Sequence, residues 1–297
     1  MTSSTPRISV GLPTYNRASS LRLAVESVLA QDYDDFELII SDNGSTDETR
    51  ALCEEFAARD PRVRYIAQPV NRGISFNFQA TLSAARGELF MWLADDDWLS
   101  PSYFSSCMEA LSGHDDYALV CGKTKYFRDG KFVMEEGGMS LLQTEASARV
   151  LVYYQRVVRN GAFYGIMRRS LLKSIEIQTI LGGDWFFVAA VAFTGKIKMV
   201  ETVSLNRSIA GSSENVEALA RAEGHSGFFS NNPHLKIALT IFQDIAYRSP
   251  VYQSLGRLRR AALGAKAATE IFFRFCLPLW RYRWQTRLHG VVPAHKT

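Results

Sequence analysis

The sequence predicts an α/β protein: a mostly parallel sheet flanked by helices, followed by a C-terminal helical extension. Three observations carry this. Short apolar runs of strand length alternate with segments of helical periodicity through the first 100 residues. The apolar runs end in Pro, Asn, Asp or Gly, which close strands and open helices. The chain of 297 residues is 47% hydrophobic and 22% charged, an ordinary globular composition with room for one sizeable α/β domain and an appendage.

The first strand runs from Arg7 to Pro13, and Asn16 to Ser20 supply capping residues for a helix through Leu29, with Leu21, Val25, Val28 and Leu29 at helical spacing. A second strand spans Phe36 to Ser41. The turn Asp42 to Asp47 then opens a helix from Glu48 to Arg59. Arg62 to Ala67 is a third strand, Phe76 to Arg86 a third helix, and Glu88 to Ala94 a fourth strand. Such β-α alternation implies right-handed crossovers and a ligand crevice at the carboxyl ends of the strands. Pro13 to Arg17, Asp42 to Asp47 and Asp95 to Asp97 therefore line one edge. No internal repeat or low-complexity segment is present, and residues between Cys107 and Gly182 carry no interpretable motif.

Three acids, Asp95, Asp96 and Asp97, follow the apolar run Leu89 to Ala94 directly. Adjacent carboxylates repel one another and lose hydration beside apolar neighbours, so they need a cation or hydrogen-bond donors. Magnesium and manganese suit such oxygen sets, taking one or two protein carboxylates and completing their shell with water and phosphate. The competing reading is a solvated turn that caps the next helix, with Pro101 close behind. No GxxxxGK[ST] loop and no GxGxxG follows the first strand, so any diphosphate here lacks a glycine cradle and depends on metal for neutralisation.

The segments Val10 to Arg17, Ser27 to Gln31, Phe36 to Asp47, Asn71-Arg72-Gly73, Ala84 to Glu88 and Ala94 to Asp97 together resemble the family 2 glycosyltransferases. A weaker block, Gly182 to Phe187, extends the similarity to about residue 215. The resemblance implies an A-type nucleotide-sugar transferase fold and an inverting, metal-dependent transfer from a nucleoside-diphosphate sugar to a saccharide or lipid-linked acceptor. Surface-polysaccharide or glycolipid synthesis is the setting it suggests.

The resemblance places Asp42 against the nucleobase, with Thr14 and Tyr15 beside it, and marks Pro13, Asn16, Arg17, Asn43, Arg72, Gly73 and Asn77 as donor-side positions. The alternative for Asp42 is a carboxylate that only shapes the Asn43-Gly44 turn. The family's DxD motif aligns either with Asp95 to Asp97 or shifted so that Ala94 replaces its first acid. The shifted alignment makes Asp96 the direct ligand of Mg2+ or Mn2+, sets Asp95 towards ribose or metal, and leaves Asp97 behind them or as a cap. Asp184 becomes the base that deprotonates the acceptor, or alternatively the cap of a helix through Val188 to Phe193. Gly183 stands where the family usually has an acid. Arg207, in the segment Asn206 to Ser213, is a candidate phosphate ligand or a solvated loop charge, and the family's histidine near Ile209 is missing. Two rival functions follow from these departures: a non-catalytic nucleotide-sugar or carbohydrate-binding subunit, and a metal-dependent nucleotidyltransferase.

The chain divides into a catalytic region, 1–215, with a nucleotide-binding half, 1–105, and an acceptor half, 106–215, followed by a basic extension, 216–297. The net charge of +4 is uneven: nine Lys or Arg face one acid, Glu270, from Gly256 onwards. Leu258, Ala262, Ala265, Phe272 and Phe275 form an apolar stripe beside Arg259, Arg260, Lys266 and Arg274. Residues 257–290 read as a membrane-surface segment, with packing on the domain or pairing of two copies as alternatives; nucleic acid is not an expected partner. The four cysteines lack CxxC spacing, no secretory leader is evident and no apolar run reaches spanning length, so the expected location is cytoplasmic, peripheral at the inner membrane face.

Overall fold

The computed structural model describes residues 5–178, 180–209 and 228–281. The first four strands, β1 (Ile8–Thr14), β2 (Phe36–Asp42), β3 (Val63–Ala67) and β4 (Leu89–Trp92), pair in parallel in the order β3-β2-β1-β4. Helices α1 (Ala18–Leu29), α2 (Thr49–Arg59) and α3 (Ile74–Ala84) make the crossovers. These strands are apolar on both faces because helices cover both. Along β4, Leu89 and Met91 enter one core with Ile8, Val10 and Leu12, while Phe90 and Trp92 enter the other.

The second half departs from a purely parallel sheet. Strand β8 (Ile166–Arg168) lies antiparallel between β4 and β6 (Tyr117–Arg128), and β9 (Lys196–Ser208) runs parallel to β6. Short β5 (Trp98–Leu99) pairs with β9, and β7 (Lys131–Glu136) with β6, both antiparallel, completing a mixed sheet of nine strands. Thr14 stands opposite Asp42, and Gly11 opposite Trp92, so the ends of β1, β2 and β4 meet at one edge as the alternation requires.

Helix α4 (Tyr103–Leu111) covers one face of the sheet. On the other face, α5 (Ala146–Arg156) and α7 (Gly183–Thr194), the latter preceded by the single-turn α6 (Arg169–Leu172), pack with α8 (Pro233–Gln243) and α9 (Arg257–Ile271). Tyr153, Phe187, Ile237, Ile241, Leu263, Ala267 and Ile271 belong to one buried cluster, so the described part of the C-terminal region shares a core with the second half of the sheet. The face of α9 that packs is not the stripe expected from the sequence. Leu263, Gly264, Ala267 and Ile271 are buried, whereas Leu258, Ala262 and Ala265 are exposed. Small residues let the helix axes approach: a Cβ on Gly264 would lie 3.1 Å from the Phe242 carbonyl oxygen of α8. No helix among the described residues is long and apolar enough to cross a membrane.

Candidate active site

The loops after β1 and β2 are fastened to each other before any ligand is considered. Asn43 donates its backbone N–H to the Thr14 carbonyl at 2.9 Å and its amide to Asn71 Oδ1 and the Gly73 carbonyl, while the Arg72 N–H donates to Asn43 Oδ1. Asn16, in the left-handed region at φ 52°, accepts from the Thr46 N–H, and its own N–H donates to Ser45 Oγ. Asn77 is buried and donates to the carbonyls of Thr14 and Ser41. Asn16, Asn43 and Asn77 thus set the shape of the crevice with their own hydrogen bonds.

Asp42 is buried at the end of β2 and accepts from the Ser45 N–H and hydroxyl and from the Tyr65 hydroxyl at 3.1 Å. Its orientation is fixed from two sides, which suits a carboxylate that receives a base N–H and also fits the turn-shaping alternative. Tyr15 is 40% exposed, and Arg72 lays its guanidinium 3.6 Å from the Phe76 ring centroid. Pro13 pairs with Ser41 just below this level, and Gly73, at φ 89°, precedes the first turn of α3.

The three acids occupy three different settings. Asp95 is largely buried with Arg17 at 4.0 Å, and burial pushes its carboxyl up to about 6 against the pull of the Thr14 hydroxyl, Arg17 and the Tyr15 backbone, with Asp96 adding repulsion. Asp97 is 1% exposed and its two oxygens are occupied by the Arg207 guanidinium at 2.9 Å and the Ser208 N–H at 3.2 Å. Burial raises its pKa to about 6 as well, partly offset by Arg207. Asp96, half-buried between them, engages in no ion pair among the described residues. The donor set open to a cation is therefore Asp95 and Asp96. Two carboxylates match in type the one or two that magnesium or manganese takes from protein, and no group of three potential ligand side chains exists among the described residues.

Arg207 differs from its sequence expectation. Held by Asp97, with its guanidinium 4.8 Å from the Tyr164 ring centroid, it is neither a solvated charge nor a free phosphate ligand in this conformation. The part of its loop from 210 to 213 lies outside the described residues.

Asp184 sits in the first turn of α7, which includes Val188 to Phe193 and begins at Gly183, so Gly182 and not Asp184 is the N-cap. It faces a cavity of about 550 Å3 and accepts from the Asn160 amide at 2.9 Å, while the Tyr153 hydroxyl donates to Asn160 Oδ1 at 2.8 Å. The surrounding protein raises the Asp184 pKa through burial, opposed by the Asn160 hydrogen bond and the charge of Arg207. Gly183 is dictated by the backbone: a Cβ there would lie 2.2 Å from the Gln178 carbonyl oxygen, which leaves no space for the acid that the family resemblance implies. Tyr164 lies between the two acidic regions: it lines the Asp184 cavity, and its ring packs against the Arg207 guanidinium that Asp97 holds.

Sequence reasoning missed Tyr65, Tyr153, Asn160 and Tyr164. The Asn160-Gly161 pair is a turn signal, and Asn160 does adopt φ 56°, but nothing in the sequence ties it to Asp184.

Known proteins agree with this architecture. The chain is 18% identical to S. aureus TarS 1-349 in complex with UDP-GlcNAc, covering 90% of this chain and 72% of that one with a TM-score of 0.63. It is 16% identical to the mannosyltransferase PcManGT from Pyrobaculum calidifontis in complex with GDP-Man and Mn2+, with coverage of 92% and 75% and a TM-score of 0.53. The mixed sheet with its flanking helices is the A-type glycosyltransferase fold. The profile of Glycosyl transferase family 2 matches residues 9–176, more than half of the chain, and the protein belongs to that family. A Campylobacter jejuni GalNAc(5)-diNAcBac-PP-undecaprenol beta-1,3-glucosyltransferase is 29% identical over 170 residues, 57% of this chain and 54% of that protein. The chain spans about half the length of this relative and of a Bacillus subtilis putative glycosyltransferase, EpsH, which is 26% identical over 61% of this chain.

Proposed function

We propose that the protein is an inverting glycosyltransferase, moving a sugar from a nucleoside-diphosphate donor to a hydroxyl of a saccharide or lipid-linked acceptor in cell-surface polysaccharide or glycolipid synthesis. The observation that carries this is the grouping around Tyr164: it lines the cavity of Asp184, and its ring centroid lies 4.8 Å from the guanidinium of Arg207, which Asp97, just beyond β4, holds at 2.9 Å. The family membership and the undecaprenol-linked chemistry named for the C. jejuni relative support it.

In this reading Asp42 and Tyr15 hold the nucleobase, with the polar frame of Asn16, Asn43, Asn77 and Gly73 keeping the crevice open. Pro13, Thr14, Arg17 and Arg72 border the ribose and diphosphate. Asp95 and Asp96 would hold Mg2+ or Mn2+, and a metal bound there would supply positive charge to offset that of the diphosphate. The acceptor oxygen attacks the anomeric carbon from the face opposite the diphosphate. Its proton passes to Asp184, and the sugar–phosphate bond breaks with its electron pair on the nucleoside diphosphate. Burial, which raises its pKa, makes Asp184 a stronger base than an ordinary carboxylate. Asp97 keeps Arg207 at the border between the two sides.

The exposed stripe Leu258, Ala262, Ala265 and Phe273, flanked by Arg259 and Lys266, supports peripheral attachment to anionic lipid at the inner membrane face. Of the segment 257–290, residues 282–290 lie outside the described ones. Co-sedimentation with phosphatidylglycerol vesicles, against phosphatidylcholine vesicles, tests this attachment.

A panel of nucleotide sugars with Mg2+ or Mn2+ tests the main reading, with released nucleoside diphosphate as the expected product. Release of pyrophosphate from a nucleoside triphosphate plus a sugar phosphate identifies a nucleotidyltransferase instead. Donor binding without turnover identifies a non-catalytic subunit.

A further inference from the structure

The cavity beside Asp184 has two chemically distinct walls. Around Asp184 the lining is mixed: Asn160, Arg207 and Ser208 are polar, and Phe163 and Tyr164 stand beside them. The other wall is apolar and is built jointly by α7, α8 and the turn after α9. The Trp185 and Phe275 ring centroids are 5.9 Å apart, Phe275 stacks on His234 at 4.4 Å, and Ile237 closes against Gly182. At the mouth, Ile74 and Val158 line the cavity while remaining 74% and 53% exposed.

A cavity of this volume is in the range that holds a small organic ligand, roughly 300–1,000 Å3. A sugar can lay a C–H face on a ring, but its hydroxyls leave the rest of this apolar surface without a partner, whereas hydrocarbon placed there is stabilised by leaving water. The exposed Ile74 and Val158 extend the apolar surface outwards, which suits a chain that enters from solvent or from a lipid surface.

We infer that the acceptor carries a hydrocarbon group on the accepting sugar itself, seated on Trp185, Ile237 and Phe275 while the sugar hydroxyl meets Asp184. The acceptor class is a sugar joined directly to an apolar aglycone, rather than the end of a long hydrophilic polymer. This rests on Asp184 being the residue that receives the acceptor proton. The bonds exchanged are those of the transfer above, with the aglycone untouched.

Equilibrium titration of the full chain with octyl β-glucoside, below its micelle concentration, and with methyl β-glucoside tests the inference without any need for turnover. The octyl compound is expected to bind at least about 10-fold more tightly. Ile237→Ser should remove most of that preference, and Val158→Ser, a rim change that spares the buried core, should reduce it about 3-fold. Equal affinity for the two glucosides overturns the inference. So does a preference that survives both substitutions, since the alkyl chain then adsorbs elsewhere. If the preference behaves as expected while no donor in the panel releases nucleoside diphosphate, the apolar subsite stands and the transferase reading fails.

Discussion

The two sides of the active site are built differently. The proposed donor side is a set of short loops at the ends of parallel strands, pinned by asparagine side chains: Asn43 donates to the Gly73 carbonyl beyond the next strand, and Asn77 reaches back to the carbonyls at the ends of β1 and β2. The acceptor side is assembled from segments distant in sequence: the 158–164 turn, the start of α7, the start of α8 and Phe275. Its apolar part is complete only once His234, Ile237 and Phe275 of the C-terminal region are in place. The lesson is that a donor crevice can be encoded locally, whereas an acceptor pocket is a product of tertiary packing.

Substitutions separate the two sides. Asp184→Asn has the largest expected effect, a loss of about 10²–10⁴-fold in kcat with donor affinity near that of the parent, read by steady-state kinetics and calorimetric donor titration. Parental turnover in that variant removes Asp184 from its role. Asp96→Ala acts on the other side: donor affinity falls to the level measured with chelator, while the melting temperature stays within a degree or two. If the donor binds this variant as tightly in manganese as it binds the parent, the metal assignment to Asp96 is wrong.

Within the acid triplet, the stability effects have opposite signs. Asp97→Ala leaves the buried Arg207 guanidinium without its partner and should cost about 3 kcal/mol, seen as a melting point lowered by roughly 5 °C. Asp95→Asn removes a carboxylate whose pKa burial raises to about 6, and should stabilise the metal-free protein at pH 7 by about 2 kcal/mol. The sign follows from proton uptake. A carboxylate with a raised folded pKa binds a proton more readily when folded, so its ionisation destabilises the fold as pH rises from 3.8 through 6. The gain from Asp95→Asn should therefore shrink towards zero at pH 4, and a gain independent of pH would point to another cause.

The smallest effect concerns the acceptor side alone. Asn160 donates to the charged form of Asp184 and so lowers its pKa; Asn160→Gly, which keeps the φ of 56°, should move the acidic limb of the kcat/KM profile to higher pH. An unmoved limb would show that the limb reports some other group.

Legibility in the sequence follows the same division. β1 to β4 and their crossovers read out within one or two residues because each strand is a short apolar run ending in a turn residue. The second half was opaque. β8 has three residues, too few for any periodicity, and its antiparallel insertion beside β4 depends on contacts across the sheet. On α9 the apolar stripe pointed to Leu258 and Ala262, but close helix packing favours the face with Gly264 and Ala267, where small size matters more than hydropathy. The acids of the site were visible as residue types. That Asp97 is tied to Arg207 was not, because 110 positions separate them.

The tight approach of the Gln178 carbonyl to Gly183 sets how this enzyme can diversify. Asp184 takes its place from main chain and from Asn160, not from the rings and aliphatic groups across the pocket. If Asp184 is the proton acceptor proposed above, substitutions at Ile237 or Phe275 can change the shape of the pocket while that carboxylate stays where it is.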